Sequence, residues 1–410
     1  MEAALARIDA VEPALHAWVS IDRSGALTRA RELTAEARRG DLRGPLHGIP
    51  VGIKDIFHVA GMVTTAGAGA FAHVYAAHDA TSVARLRRAG AIMLGKTTTT
   101  EFAYLDATDT RNPWNPGHTP GGSSAGSAAA VGARMIPLAL GSQTIGSTLR
   151  PAAYCGIVGF KPTHGSIDVE GVHPLAPSLD HVGIFCRSVA DAALAFTVLT
   201  KGPIAEAGIP RAAGAQRIGL LNAVFSRRAD GQTRANLTDV AAMLTRAGGQ
   251  VLDLHLPPSS LDVYEATTLV IEAEAATVHE ANFARYGTQY RPQIKGLVER
   301  GQRHSGVAYA RALDLRRQFQ TDLLPLLATV DVLMMPTTPA PAPSGLESTG
   351  DPTFCAPWSF AGVPAISLPS GLSADGLPLG IQLVAGAGAE SKLLAVARWC
   401  EQVIGFGATP

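Results

Sequence analysis

The sequence predicts an α/β fold built on a substantial, partly parallel sheet, and three observations carry that expectation. Short apolar runs alternate with helical patterns from Val51 onward, as strands joined by helices do. The chain is 47% hydrophobic and 17% charged over 410 residues, enough to build one large core or two ordinary ones. No disordered linker divides it and no internal repeat stands out. One domain over 1–410 is therefore expected.

In chain order, residues 1 to about 40 read as helices with alanine-rich faces. Val51, Ile53 and Ile56 read as a buried strand. Further apolar runs are "AIML" at 91–94, "RIGLL" at 217–221, "DVLMM" at 331–335, "PAISLP" at 364–369 and "LGIQLV" at 379–384. Helical patterns fall at 80–89, 124–134, 188–199, 232–247, 261–284, 307–328 and 389–403. The stretch from about 205 to 330 is a candidate helical cover over the pocket. The Pro-rich "PTTPAPAPSG" at 336–345 follows an apolar strand and reads as a long structured loop.

Composition narrows the function. Lys and Arg total 34, as do Asp and Glu, so the net charge carries no footprint for nucleic acid. Cys155, Cys186, Cys355 and Cys400 form no CxxC pair and read as reduced, packed thiols of a cytoplasmic protein. "MEAALARIDAVEPALHAWV" has no signal-peptide core. No apolar run reaches membrane-spanning length. The histidines show no metal-ligand spacing, so no metal is expected.

The chemistry starts at "HGIPVGIKDIF", 47–57, where Lys54 interrupts an apolar strand. A buried ammonium is costly unless paired or neutral, so Lys54 either reaches out or has a lowered pKa. "HTPGGSSAGSAAAVGARM", 118–135, is a Gly/Ser loop before an alanine-rich helix. Such a loop suits an anion, and Ser123 or Ser124 also fits a plain helix N-cap. A second serine loop, "GSQTIGSTLRPAAYCGIVGFKPT", spans 141–163. Two serine loops and a lysine fit a serine hydrolase with lysine as its base.

These blocks, with "SLDHVGIFCRSVADAA", "DVLMMPTTP" and "FAGVPAISLPSG…GLPLGIQLV", resemble in order those of the amidase signature family, the Ser–cis-Ser–Lys amide hydrolases. The motifs come closest to its small bacterial, malonamidase-like members. The resemblance covers nearly the whole chain and implies a large mixed, twisted sheet with helices on both faces. It implies Ser147 as nucleophile, Ser123 as bridge and Lys54 as base. It further implies a cis peptide at Gly122–Ser123, orientation of the relay by Ser124, and an oxyanion hole from the N–H groups of Thr144, Ile145, Gly146 and Ser147. No cofactor is implied. The family's usual first helical segment is short here.

The sequence departs from the family at two positions. Ile145 stands where a glycine or another small residue is usual; it keeps its N–H, but it would be strained at positive φ, and its bulk narrows the pocket. Gln143 replaces an Asp that in many members helps bind a substrate ammonium, which makes glutamine a less natural substrate. Arg150 sits where malonamidase-like members hold a substrate carboxylate, and bidentate binding suits that role. Its alternative is a structural salt bridge.

Two lookalikes compete. "GAIMLGKT", 90–97, satisfies the P-loop pattern, but a P-loop needs a strand before its first glycine, and "SVARLRRA" reads as a helix. "GSSAG", 122–126, satisfies GxSxG, which would make Ser124 the nucleophile of a His-based hydrolase with Asp180–His181. "RNPWNPGHTP" before it is no strand. The expectation is a hydrolase of a linear carbon–nitrogen bond in a small amide, aryl amide or carbamate (urethane), with ester cleavage as a side activity. The rivals are a non-catalytic homologue and a partner-dependent protein resembling the amidase-like subunit of glutamyl-tRNA amidotransferase. A homodimer or a small helical partner fits either enzyme reading.

Overall fold

Strand periodicity divides the apolar residues between two cores, and this division builds the molecule. The computed structural model describes residues 1–200, 215–221, 225 and 227–410. Its strands are β1 (Trp18–Ile21), β2 (Pro50–Lys54), β3 (Val63–Thr64), β4 (Val74–Tyr75), β5 (Ile92–Thr97), β6 (Leu138–Gln143) and β7 (Val158–Lys161). They continue with β8 (His181–Cys186), β9 (Arg217–Leu220), β10 (Gln250–Asp253), β11 (Val332–Pro336), β12 (Ala365–Leu372) and β13 (Pro378–Val384). The helices are α1 (Glu2–Leu15), α2 (Arg23–Arg38), α3 (Thr81–Arg88), α4 (Ala125–Gly132), α5 (Leu149–Tyr154) and α6 (Val189–Leu199). After them come α7 (Gly231–Arg246), α8 (Val263–Tyr286), α9 (Pro292–Gly301), α10 (Gly306–Thr329), α11 (Ala356–Phe360) and α12 (Glu390–Ile404).

Among the described residues, eleven strands form one sheet in the order β1-β5-β2-β6-β8-β7-β12-β13-β11-β9-β10, and β3 pairs only with β4. The sheet is mixed. β5, β2 and β6 run parallel, as do β11, β9 and β10, and the strands between β6 and β11 pair antiparallel. Side chains alternate across a strand. On β5, Ile92 and Leu94 enter one core and Met93 the other; on β6, Ala139 opposes Leu138 and Leu140. The smaller core takes α1, α2 and α4, and the larger takes α3, α6 to α10 and α12. Asp22, Ser188, Asp230 and Ser305 cap α2, α6, α7 and α10 by accepting a backbone N–H, as short polar side chains do at helix starts.

The stretch read as a helical cover divides. Residues 205–214, 222–224 and 226 lie outside the described residues. Residues 217–253 contribute β9, α7 and β10, because "RIGLL" pairs into the sheet. Helical cover begins at Val263 with α8 and continues through α9 and α10. The loop after β11 is ordered against the first serine loop: His118 bridges Ser344, and Thr119 N–H donates to Pro343 O.

"GAIMLGKT" is no phosphate loop, since Ile92–Thr97 is strand β5. A Cβ at Gly95 would lie 2.1 Å from Ser20 O, so this glycine admits the close approach of β1. Lys96 is fully buried and pairs with Asp55 Oδ1 at 2.7 Å. No helix among the described residues is long and apolar enough to cross a membrane.

Candidate active site

The pairing register gathers one end of each of three strands. β2 ends at Lys54, β6 ends at Gln143 beside it, and β8 begins at His181 opposite Gln143. Lys54 is fully buried. Its Nζ lies 2.7 Å from Ser123 Oγ and 2.8 Å from Ser142 Oγ. Burial holds the amine well below the ordinary lysine value, and the charge of Asp180 pulls the other way. Desolvation favours the neutral base. Asp55 looks away from this site towards Lys96 and Thr65.

Ser123 sits in the loop before α4, and its peptide bond to Gly122 is cis. Thr100 N–H donates to Ser123 O at 3.2 Å. Ser124 does not point at a substrate. Its Oγ donates to Ser142 O and accepts from Ser142 N–H, both at 3.2 Å. It thereby fastens the head of α4 to the strand residue that holds Lys54 from the other side. Ser142 was not singled out from sequence. It lies inside the quoted "GSQTIGS", but a serine at a strand end carries no periodic signal.

Arg150 ties the two serine loops together. Its Nη2 donates to Gly122 O at 2.6 Å and to Thr349 Oγ1 at 3.1 Å, and its Nη1 donates to Gly350 O at 2.8 Å. The guanidinium is buried, and its Nε has no partner among the described residues. No ion pair with a carboxylate is formed among the described residues, so the structural salt-bridge alternative does not hold. The guanidinium's partners are carbonyls and a hydroxyl, which need no counter-charge to accept.

The second serine loop has a distinctive donor pattern. The N–H groups of Thr144, Ile145, Gly146 and Ser147 have no acceptor among the described residues, whereas Thr148 N–H and Leu149 N–H both donate to Gln143 Oε1, at 2.9 and 3.0 Å. Gln143 is thus turned inward. Its Nε2 donates to Ser359 Oγ at 2.9 Å, and Ser359 Oγ donates to Ile145 O at 2.6 Å. Gln143 and Ser359 hold the loop from behind and leave its first four N–H groups pointing elsewhere. Ile145 is not among the residues with positive φ, so the feared strain is absent. Ile145 instead lines a cavity of about 220 Å³ with Tyr104, Leu105, Tyr264, Thr349 and Pro352. Glu347 is the one Asp, Glu, Lys, Arg or His among the described residues lining it. Ser147 is 8% exposed and lies on this loop, two residues beyond Ile145.

The His-based arrangement is not assembled. Ser124 bonds Ser142, His181 Nδ1 sits 3.1 Å from Gln143 O, and Asp180 accepts from Thr144 Oγ1 at 2.6 Å and from Leu175 and Ala176 N–H. Burial holds His181 well below the ordinary imidazole value. A larger groove of about 680 Å³, lined by Glu274, His304 and Tyr309 among others, contains none of the candidate catalytic residues.

A family model described as Amidase matches residues 1–394. The chain is 35% identical to a subunit of the glutamyl-tRNA(Gln) amidotransferase of Roseiflexus castenholzii, over 96% of this chain and 90% of that one. Among solved structures it resembles an amidase at TM-score 0.90 and 33% identity, over 98% of this chain and 94% of the other. It also resembles the native peptide amidase from Stenotrophomonas maltophilia at TM-score 0.83 and 30% identity, over 100% and 94%.

Proposed function

The chain belongs to the amidase family, and we propose that it hydrolyses a carbon–nitrogen bond through an acyl-enzyme on Ser147, with Ser123 as bridge and Lys54 as base. The observation that carries this reading is the company of Lys54. Among the described residues, three lysines are fully buried. Lys96 faces a carboxylate, and Lys161 donates to the carbonyls of Pro162 and Val363. Of the three, Lys54 is the one whose partners are both serine hydroxyls. A neutral amine there can take the proton of Ser123 Oγ, which takes that of Ser147 as Ser147 attacks the carbonyl. The free N–H groups of the 144–147 loop then receive the oxyanion. The proton returns to the leaving amine, and water repeats the steps to release the acid.

For the substrate, the cavity supports an uncharged amide, aryl amide or carbamate. Its walls mix aromatic and aliphatic side chains with neutral hydroxyl and amide groups, Arg150 lies behind Thr349 and Gly350, and Glu347 at the lining repels a carboxylate. A partner-dependent amidotransferase role is the second reading, favoured by the similarity to the Roseiflexus castenholzii protein. Gln143 weakens glutamine as substrate, because its amide is engaged by the loop.

The test is amine release by the purified protein without partners, from a nitroanilide, a carbamate, aliphatic primary amides, malonamate and glutamine. Ser147→Ala and Lys54→Ala are expected to lose at least about 10³-fold in kcat while remaining folded. Substantial turnover by folded Ser147→Ala defeats the assignment. Silence across the panel by folded wild type shifts the weight to the partner-dependent reading.

A further inference from the structure

We propose that Asp180 is a positioning residue for acyl transfer: its carboxylate holds the first residue of the oxyanion loop, and it lines the same small cavity as Ser142, a hydroxyl partner of Lys54. This rests on the reading of Ser147 and Lys54 given above. The geometry begins with register. Gln143 on β6 pairs with His181 on β8, so Thr144 and Asp180 meet just beyond the last pair of the ladder. Thr144 Oγ1 donates to Asp180 Oδ1 at 2.6 Å. Oδ2 accepts Leu175 N–H at 2.8 Å and Ala176 N–H at 3.1 Å. Both oxygens are therefore used, and the carboxylate joins the turn at 175–176 to the loop that carries the nucleophile. Holding the Thr144 side chain restrains the backbone at this residue, whose N–H is the first of the four donors left free for an oxyanion.

The second contribution is electrostatic. Asp180 favours the charged form of Lys54 and so opposes the desolvation that keeps the amine neutral. Burial in turn lifts the Asp180 carboxyl to about 6, against the hydrogen bonds from Thr144, Leu175 and Ala176, and with a push from Glu274 on α8. The other titratable groups at this point are His173 and His181, which line the same cavity of about 50 Å³ and are held below their ordinary value by burial. Asp180 thus opposes the desolvation of Lys54 and favours its protonated form.

Two pairs of variants test this on whichever amide the wild type turns over. Thr144→Val removes the tether and keeps the volume; Thr144→Ser keeps the hydroxyl. Thr144→Val should lower kcat about 10- to 100-fold with little change in KM, since small misplacements at a reacting centre have effects of this size, and Thr144→Ser should stay near wild type. Asp180→Asn should move the acid limb of the kcat profile to lower pH, because Lys54 then loses the charge that favours its protonation; Thr144→Val should leave the limb in place. Wild-type kcat in Thr144→Val overturns the tether, and an unmoved limb in folded Asp180→Asn overturns the charge role. If Asp180→Asn does not fold, the Thr144 pair still decides. Ser147→Ala and Lys54→Ala, run alongside, separate the two readings. If they are dead and the Thr144 and Asp180 variants behave as wild type, only the present proposal falls.

Discussion

Lys54 is held by two serine hydroxyls, and the proposed proton relay uses only one of them. Ser142 Oγ, 2.8 Å from Nζ, orients the amine so that its remaining direction is towards Ser123. Ser142→Ala should leave the nucleophile and the oxyanion donors intact but let Nζ wander. A loss of about tenfold in kcat at unchanged KM is expected, from one lost orienting hydrogen bond. Wild-type kcat in a steady-state assay would remove Ser142 from the machinery. Lys54 was legible in the sequence because it breaks an apolar run, a local anomaly. Ser123 and Ser147 stood out only as members of Gly/Ser loops, and their roles came from the resemblance to the family. Ser142, Ser359 and Thr349 were not legible, since each acts through a contact made 88 to 216 residues away that no local pattern encodes. Asp180 was noticed for the wrong partner: its neighbour His181 suggested a triad, and the structure gives it Thr144.

At the level of elements, the site depends on how closely α4 and α5 approach β6 and β8. Gly141 and Gly183 face each other across that pair. A Cβ at Gly183 would lie 2.0 Å from Thr148 Oγ1, and one at Gly141 would lie 2.4 Å from Phe185 and 2.7 Å from Ser124 Oγ. Both glycines leave room for the cap residues of the helices that follow the two serine loops, Ser124 of α4 and Thr148 of α5. Gly183→Ala should therefore push Thr148, which follows Ser147 and has a stiff branched side chain. The expected cost is about 1–3 kcal/mol of stability, as for overpacking elsewhere, read as a lower Tm together with a lower kcat. An unchanged Tm and kcat would show that the loop yields freely. The same glycines explain what the sequence concealed. "LALGSQ" and "HVGIFC" are central strands, yet glycine and polar residues break their alternation, and neither was read as a strand. The longer helices, by contrast, fell within one or two residues of their predicted spans, because their apolar spacing is sustained over several turns. "PQIKGLVERG" became α9 without being foreseen, its central glycine having weakened the pattern.

Across the whole molecule, the buried bases set a conflict between function and stability whose sign can be worked out. Desolvation depresses the Lys54 pKa well below 10.5, and that of Lys161 to about 7. In the unfolded chain both bind a proton below about 10.4. A depressed base contributes its full stability above its unfolded value, and loses it as pH falls towards the folded value. Over that window the unfolded state holds one more proton per group, so unfolding free energy falls by about 1.4 kcal/mol per pH unit for each. Lys54→Met removes this dependence at one site and leaves that of Lys161 untouched. The variant should be catalytically dead. Relative to wild type, it should gain stability progressively from pH 9 to pH 7, by about 1.4 kcal/mol per pH unit at most. Denaturant melts of both proteins at the two pH values measure this gap directly. The two serine hydroxyls that lose their partner shift both measurements equally and leave the difference between them unaffected. A gap that does not widen would mean that Lys54 is already charged in the folded protein at neutral pH. In that state it has no lone pair for Ser123, and the proton relay proposed for the site would fail with it.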